Sequence, residues 1–196
     1  MKISIATEDI LTEEIITKIL FCKGGFEILY RLGKKGVGYL TSKLDNFNQL
    51  AQQHDVLVVF DLDLKASHDI YTQELERRIA NKNRTLHIFI SVREVESWIL
   101  ADRTGLGNYL KISKDKIDKN PDLLLDPKEK LVSLARISKN STVRKGLAPT
   151  HGAAAKVGIS YNTLLTTFIW QEWDLTRAIE CSPSLKRVSE SIDSLR

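Results

Sequence analysis

Four short apolar runs punctuate the first half of the chain: Ile3–Ala6, Phe26–Leu32, Val56–Phe60 and Leu86–Val92. They are rich in Ile, Val and Phe and are bounded by polar or glycine-containing segments, so each predicts a β-strand. Val56–Phe60 is unbroken by polar residues, as a central parallel strand covered on both faces should be. Helical spacing fills the intervals. Leu11–Phe21 places Ile15, Ile16, Ile19 and Leu20 on one face, with Thr12 as the expected N-cap and Glu13 and Glu14 in the first turn. Gly24-Gly25 ends that helix. Further helices are expected over Lys43–Gln53 and His68–Asn81, and Val95, Trp98, Ile99 and Asp102 share one face of a short helix. Strand and helix in alternation predict a parallel sheet with right-handed crossovers and helices on both faces.

Past Thr104 the pattern changes to helical pieces at Pro127–Ile137, Tyr161–Trp170 and Ser184–Ser194, the last opened by Ser182-Pro183. The expected organisation is an α/β core over residues 1–104 and a helical extension over 105–196 packed on it as one compact unit. Ser138–Val157 reads as the connecting loop. Gly33–Gly38, with Lys34 and Lys35, also reads as a loop, since it lacks the Gly-Lys-Ser/Thr spacing of a phosphate-binding loop.

Acidic residues follow three of the four runs: Glu8-Asp9, Asp61-Leu62-Asp63 and Glu94-Val95-Glu96. In an open α/β sheet the carboxyl ends of parallel strands share one edge, and ligands bind there. Asp61 and Asp63 have the period-two spacing that lets both side chains point one way. Carboxylates gathered at one edge repel one another unless a cation joins them, and oxygen ligands favour Mg²⁺ or Mn²⁺. The alternative for each single acid is a favourable partner for a helix N-terminus.

Charge and composition sharpen the picture modestly. With 196 residues and 42% hydrophobic content, one good core is affordable but not two full domains. No apolar stretch is long enough to span a bilayer and no signal peptide precedes the first strand, so a cytoplasmic protein is expected, with no membrane partner. Cys22 and Cys181 are isolated and the four histidines scattered, which argues against disulfides and zinc. The net charge of +4 is unevenly spread. Between Glu129 and Glu172 there is no acid, while Lys130, Arg136, Lys139, Arg144, Lys145 and Lys156 lie in the gap. Lys139, Arg144, Lys145 and Lys156 are therefore the candidates for binding DNA or RNA, the competing reading being a solvated surface.

The motifs Glu8-Asp9-Ile-Leu-Thr12-Glu13, Phe60-Asp61-Leu-Asp63, Arg93-Glu94-Val-Glu96-Ser-Trp98-Ile-Leu-Ala-Asp102 and Asp126-Pro127-Lys128 resemble a family of small Toprim-like bacterial proteins. The resemblance continues through Gly158-Ile-Ser-Tyr161-Asn162 and Ser182-Pro183-Ser184-Leu185, nearly the whole chain. It implies a Toprim-like, Rossmann-like parallel sheet flanked by helices, related to the Toprim domain of OLD-type nucleases. By that likeness Glu8, Asp61 and Asp63 bind divalent metals for phosphodiester hydrolysis, with Glu94 or Glu96 completing the shell. Lys128 corresponds to a lysine that neutralises transition-state charge. Members of the wider group are associated with ATPases and phage defence, so an ATPase partner is implied, with a homo-oligomer possible. Two departures stand out: Asp9 occupies a position usually held by Gly, and no Gly closely follows Asp63.

Two other functions remain in competition. One is a non-catalytic Toprim-like scaffold that binds an ATPase. The other is a receiver-like phospho-acceptor using Glu8-Asp9, Asp61 and Ser91, which leaves Asp63, Glu94 and Glu96 unexplained. Trp98, Trp170 and Trp173 could stack on bases, but their spacing beside Ile99 and Phe168 favours the core. Tyr161 is expected to pack rather than act as a nucleophile.

Overall fold

The computed structural model describes residues 1–65 and 67–195. These fall into two compact units, one of the described residues up to 92 with 188–195 and one of residues 93–187.

The first unit is built on four parallel strands: β1 (Lys2–Thr7), β2 (Glu27–Gly33), β3 (Asp55–Asp61) and β4 (Leu86–Ser91). Their spatial order is β2-β1-β3-β4. The chain steps outward from β1 to β2, then crosses back over β1 to β3 and continues to β4. The order thus reverses between β1 and β3, whose carboxyl ends flank the switch point where open α/β sheets leave a crevice. The register is regular from β3 to β4, with Phe60 opposite Ile90 and Asp61 opposite Ser91, and the Leu62 N–H extends it by donating to the Ser91 carbonyl.

Four helices connect these strands: α1 (Ile10–Lys23), α2 (Gly36–Ser42), α3 (Leu44–Leu50) and α4 (His68–Glu76). Val56, Val58 and Phe60 of β3 share one buried cluster with Leu40, Phe47, Tyr71 and Leu75 from α2, α3 and α4. Leu57 and Val59 on the alternate face are also fully buried, as are Ile15, Ile16 and Ile19 of α1. Both faces of the sheet are therefore covered, which is why β3 carries no polar residue between Asp55 and Asp61. This is the expected α/β architecture, an all-parallel Rossmann-like sheet flanked by helices.

Three local expectations are corrected. Helix α1 starts earlier than expected, and its N-cap is Asp9, whose Oδ1 accepts from the Thr12 N–H at 2.8 Å. A carboxylate caps as well as a hydroxyl and adds favourable charge at the positive helix end. The segment after Gly36 is not loop but helix α2, because burying Leu40 in the cluster rewards a helical turn there. The helix expected over Lys43–Gln53 stops at Leu50 and that over His68–Asn81 at Glu76.

The second unit is helical. It holds α5 (Glu96–Ala101), α6 (Arg103–Leu110), α7 (Pro127–Arg136), α8 (Ser141–Leu147), α9 (Tyr161–Gln171) and α10 (Leu175–Ile179). A last helix, α11 (Pro183–Asp193), begins in this unit, and from Val188 onward its residues belong to the first. Two turns of 3-10 helix, Lys114–Lys116 and Pro121–Leu123, bridge α6 to α7. Helix α8 lies inside the stretch expected to be a loop; Asn140 caps it, and Val143 and Leu147 are buried.

Asp102 organises this unit. It is fully buried and accepts from the Gly105 and Asp174 N–H groups at 2.9 Å and from Arg177 Nε and Nη2 at 2.7 Å. The bidentate pair ties α6 to α10 and raises the Arg177 pKa further, chiefly through the hydrogen bond to Asp102. Gly105 is required beside it, since a Cβ would stand 2.3 Å from Asp102 Oδ2. Trp98 and Trp173 are buried and satisfied, with Trp98 Nε1 donating to Ser184 Oγ and Trp173 Nε1 to the Trp98 carbonyl. These two rings are core, as their spacing suggested, whereas Trp170 is 36% exposed.

Candidate functional site

The carboxyl ends of β1 and β3 bring two of the expected acids together. Glu8 follows β1, and its Oε1 accepts from the Asp61 backbone N–H at 3.0 Å. Asp61 closes β3 and is only 8% exposed, and its Oδ1 accepts from Ser91 Oγ on the neighbouring strand. The register that sets Asp61 opposite Ser91 creates this contact. The Glu8 backbone is fixed as well. Its carbonyl accepts from the Gly36 N–H at 3.0 Å, and the Thr7 carbonyl accepts from the Lys34 N–H at 2.7 Å. This wrap requires Gly33, which has a φ of +93° and whose missing Cβ would lie 2.1 Å from the Thr7 carbonyl oxygen. Lys34 itself reaches back to buried Glu13 at 2.7 Å. The cation in the glycine-rich turn thus answers an acid of α1.

Asp63 lies two residues beyond the strand, exposed, with a φ of +48°. Its charge is felt by Glu8. Burial first, then the charges of Asp63 and Asp9, push the Glu8 carboxyl up to about 7 against the lowering effect of the Asp61 N–H. Tyr71 shows the same field: burial and then the Glu8 and Asp63 charges raise it to about 12. Glu8, Asp61 and Asp63 therefore form a crowded anionic edge in which one carboxyl retains its proton near neutrality.

Oxygen donors of this kind suit a hard divalent cation, and the like-charge pressure on Glu8 is what a cation would relieve. The edge is not a closed cage. Among the described residues, no group of three or more His, Cys, Asp or Glu is arranged to hold a metal ion. Glu8 Oε1 and Asp61 Oδ1 are each engaged by a protein donor, which fixes both carboxylates.

In the second unit, Glu94, Glu96 and Lys128 form their own cluster. Lys128 Nζ lies 3.2 Å from Glu94 Oε1 and 3.5 Å from Glu96 Oε1, and the Lys128 backbone N–H donates to Glu94 Oε2. Tyr161 donates its hydroxyl to Glu96 Oε1 at 3.0 Å, so this buried tyrosine anchors an acid as well as packing. A lysine thus balances two carboxylates for which sequence reasoning suggested a metal. Lys139, Arg144, Lys145 and Lys156 are all exposed, Arg144 donating to the Ser138 carbonyl at 2.7 Å. Arg177, partner of the motif residue Asp102, was missed, because nothing in its local sequence announces a pairing 75 residues away.

No family model, curated protein or solved structure matches this chain. Fold and site define a Rossmann-like α/β protein with carboxylates at the switch point between β1 and β3. No helix among the described residues is long and apolar enough to cross a membrane.

Proposed function

We propose that this protein is a Toprim-like, Mg²⁺- or Mn²⁺-dependent nuclease acting on phosphodiesters of DNA or RNA, working with an ATPase partner in phage defence. The observation that carries the reading is the Glu8–Asp61 contact at the switch point, where burial, with the charges of Asp63 and Asp9 adding to it, raises the Glu8 carboxyl to about 7. Glu8, Asp61 and Asp63 are the assigned metal ligands. A divalent ion held by these carboxylates would activate water for attack and stabilise charge at the leaving oxygen. The chain's own residues prepare that seat. The Asp61 N–H orients Glu8, Ser91 orients Asp61, and the Gly33–Gly36 wrap holds the Glu8 backbone. Lys128 takes the charge-neutralising part, with Glu94 and Glu96 holding its ammonium in place. The exposed cations Lys139, Arg144, Lys145 and Lys156 draw in the polyanion.

The Ser91–Asp61 hydrogen bond favours a second reading, a phospho-accepting Asp61 with a hydroxyl on the next strand. Incubating purified protein with labelled single- and double-stranded DNA and RNA in each metal separates the two. The nuclease reading expects cleavage that is lost in Asp61→Asn and Asp63→Asn. Intact substrates in both metals, with and without the ATPase, refute it, and labelling of Asp61 by a small phosphodonor selects the alternative.

A further inference from the structure

The second unit contains a cleft of about 840 Å³, within the range of small-molecule sites. One wall is a face of α7, where Glu129, Val132, Ser133 and Arg136 recur at helical spacing. The other is the segment 149–156, which carries His151 and Lys156. That segment is pinned by the helices on either side. The Gly158 N–H donates to the Leu147 carbonyl at 2.8 Å and the Ser160 N–H to the Gly146 carbonyl at 3.1 Å. Gly158 packs so tightly that a Cβ would fall 2.2 Å from the Gly146 oxygen. The cleft is therefore a formed feature, closed by backbone contacts.

Its charges are separated. The carboxylates Asp126 and Glu129 sit at the start of α7, beside the Glu94–Lys128 pair, and Asp126 Oδ1 caps the helix by accepting from the Glu129 N–H. Arg136 closes the helix, ~10 Å further along at 1.5 Å per residue. From Val132 to Lys156 the cleft lining holds no acid. Arg136 and Lys156 are exposed, and among the described residues neither has an ion-pair partner. A polyanion laid along the whole cleft would run its next phosphates into Asp126 and Glu129. A single phosphate group is small enough to engage Arg136 and Lys156, in the lining that also holds His151, without reaching those acids.

We propose that this cleft is a binding site for one phosphate monoester, held by Arg136 and Lys156, as on a strand terminus or a free mononucleotide. Two cations match the charge of about −1.5 to −2 that a monoester carries at neutral pH. An internal diester carries one negative charge and is always followed by another, so the acidic end selects against it. The site shares Lys156 with the polyanion-binding part of the nuclease reading, but it needs no metal and no residue of the carboxylate edge.

The test is equilibrium binding by the full chain in EDTA, which removes cleavage from the readout. A fluorescent short oligo-dT with a 5′-phosphate is compared by anisotropy with the same strand lacking it. The phosphorylated strand should bind about tenfold tighter or better, the range of one charge-assisted anchor. Arg136→Gln and Lys156→Gln should each abolish that preference and lower the salt slope by about one. Lys119→Gln, an exposed charge outside the cleft lining, should leave the preference unchanged. Displacement by AMP at concentrations comparable with the strand identifies a nucleotide as the source; resistance to AMP identifies the strand end. Equal binding of the two strands, no binding at low salt, or retained preference in both variants overturns the proposal. Absence of cleavage in metal, with this preference intact, counts against the nuclease reading alone.

Discussion

Replacing Glu8 with Gln removes a charge from the carboxylate edge while leaving an amide oxygen to accept the Asp61 N–H. In the folded chain the Glu8 carboxyl titrates at about 7, against 4.5 for an unperturbed glutamate. Below pH 4.5 both folded and unfolded chains are protonated, and the group has no effect on stability. As pH rises from 4.5 to about 7 the folded state keeps a proton that the unfolded chain has released, so stability falls. Above that range the loss is complete. At about 1.36 kcal/mol per pH unit the gap is worth roughly 3 kcal/mol, and solvent access to this half-buried group reduces it to about 2. Glu8→Gln should therefore match wild type at pH 4 and exceed it by about 2 kcal/mol at pH 8. For a chain of this size that means a rise of roughly 4–8 °C in Tm. Thermal unfolding followed by circular dichroism at both pH values, in EDTA, measures it. A gain of equal size at both pH values, or none at pH 8, refutes the reasoning.

Elsewhere the expected outcomes concern packing and backbone. Arg177→Ala leaves the fully buried Asp102 without its bidentate partner and should cost about 3–5 kcal/mol in urea unfolding. Gly33→Ala forces a Cβ onto the Thr7 carbonyl at a φ of +93° and should cost at least ~2 kcal/mol. Gly38→Ala lies in α2 with nothing near its would-be Cβ and should instead gain about 0.5–1 kcal/mol, both read by the same unfolding curves.

The sheet was legible because each strand carries its own signal. Val56–Phe60 is apolar throughout since both sheet faces are covered, and the strand–acid pattern located Glu8 and Asp61 at neighbouring strand ends. Boundaries and caps were less legible. Thr12 and Asp9 are both good capping residues, and only the entry of the chain from β1 decides for Asp9. Helix α2 was hidden by its glycines, whose poor intrinsic propensity is overridden by the burial of Leu40. Helix α8 was hidden in an apparently basic loop, its burial resting on Val143 and Leu147 alone among large apolar residues. The second unit was hardest. Its central contacts join Asp102 to Arg177, Trp98 to Ser184 and Glu96 to Tyr161, pairings 65 to 86 residues apart. Local periodicity carries no record of such partners. For the same reason the ion pairs of Lys128 with Glu94 and Glu96 leave no trace in the local sequence pattern.

The central claim is that the crowded carboxylates at the ends of β1 and β3 exist to hold a divalent cation. Titrating metal-free protein with Mn²⁺ and counting free ion by electron paramagnetic resonance tests this directly, without any substrate. Saturable binding is predicted for wild type at pH 8, weakening as pH falls below about 7 because Glu8 takes up a proton that competes with the ion. Glu8→Gln and Asp61→Asn should each weaken that binding at least tenfold, by about 1.4 kcal/mol or more. Wild-type protein that leaves all Mn²⁺ free, or variants that bind it as wild type does, would contradict the account.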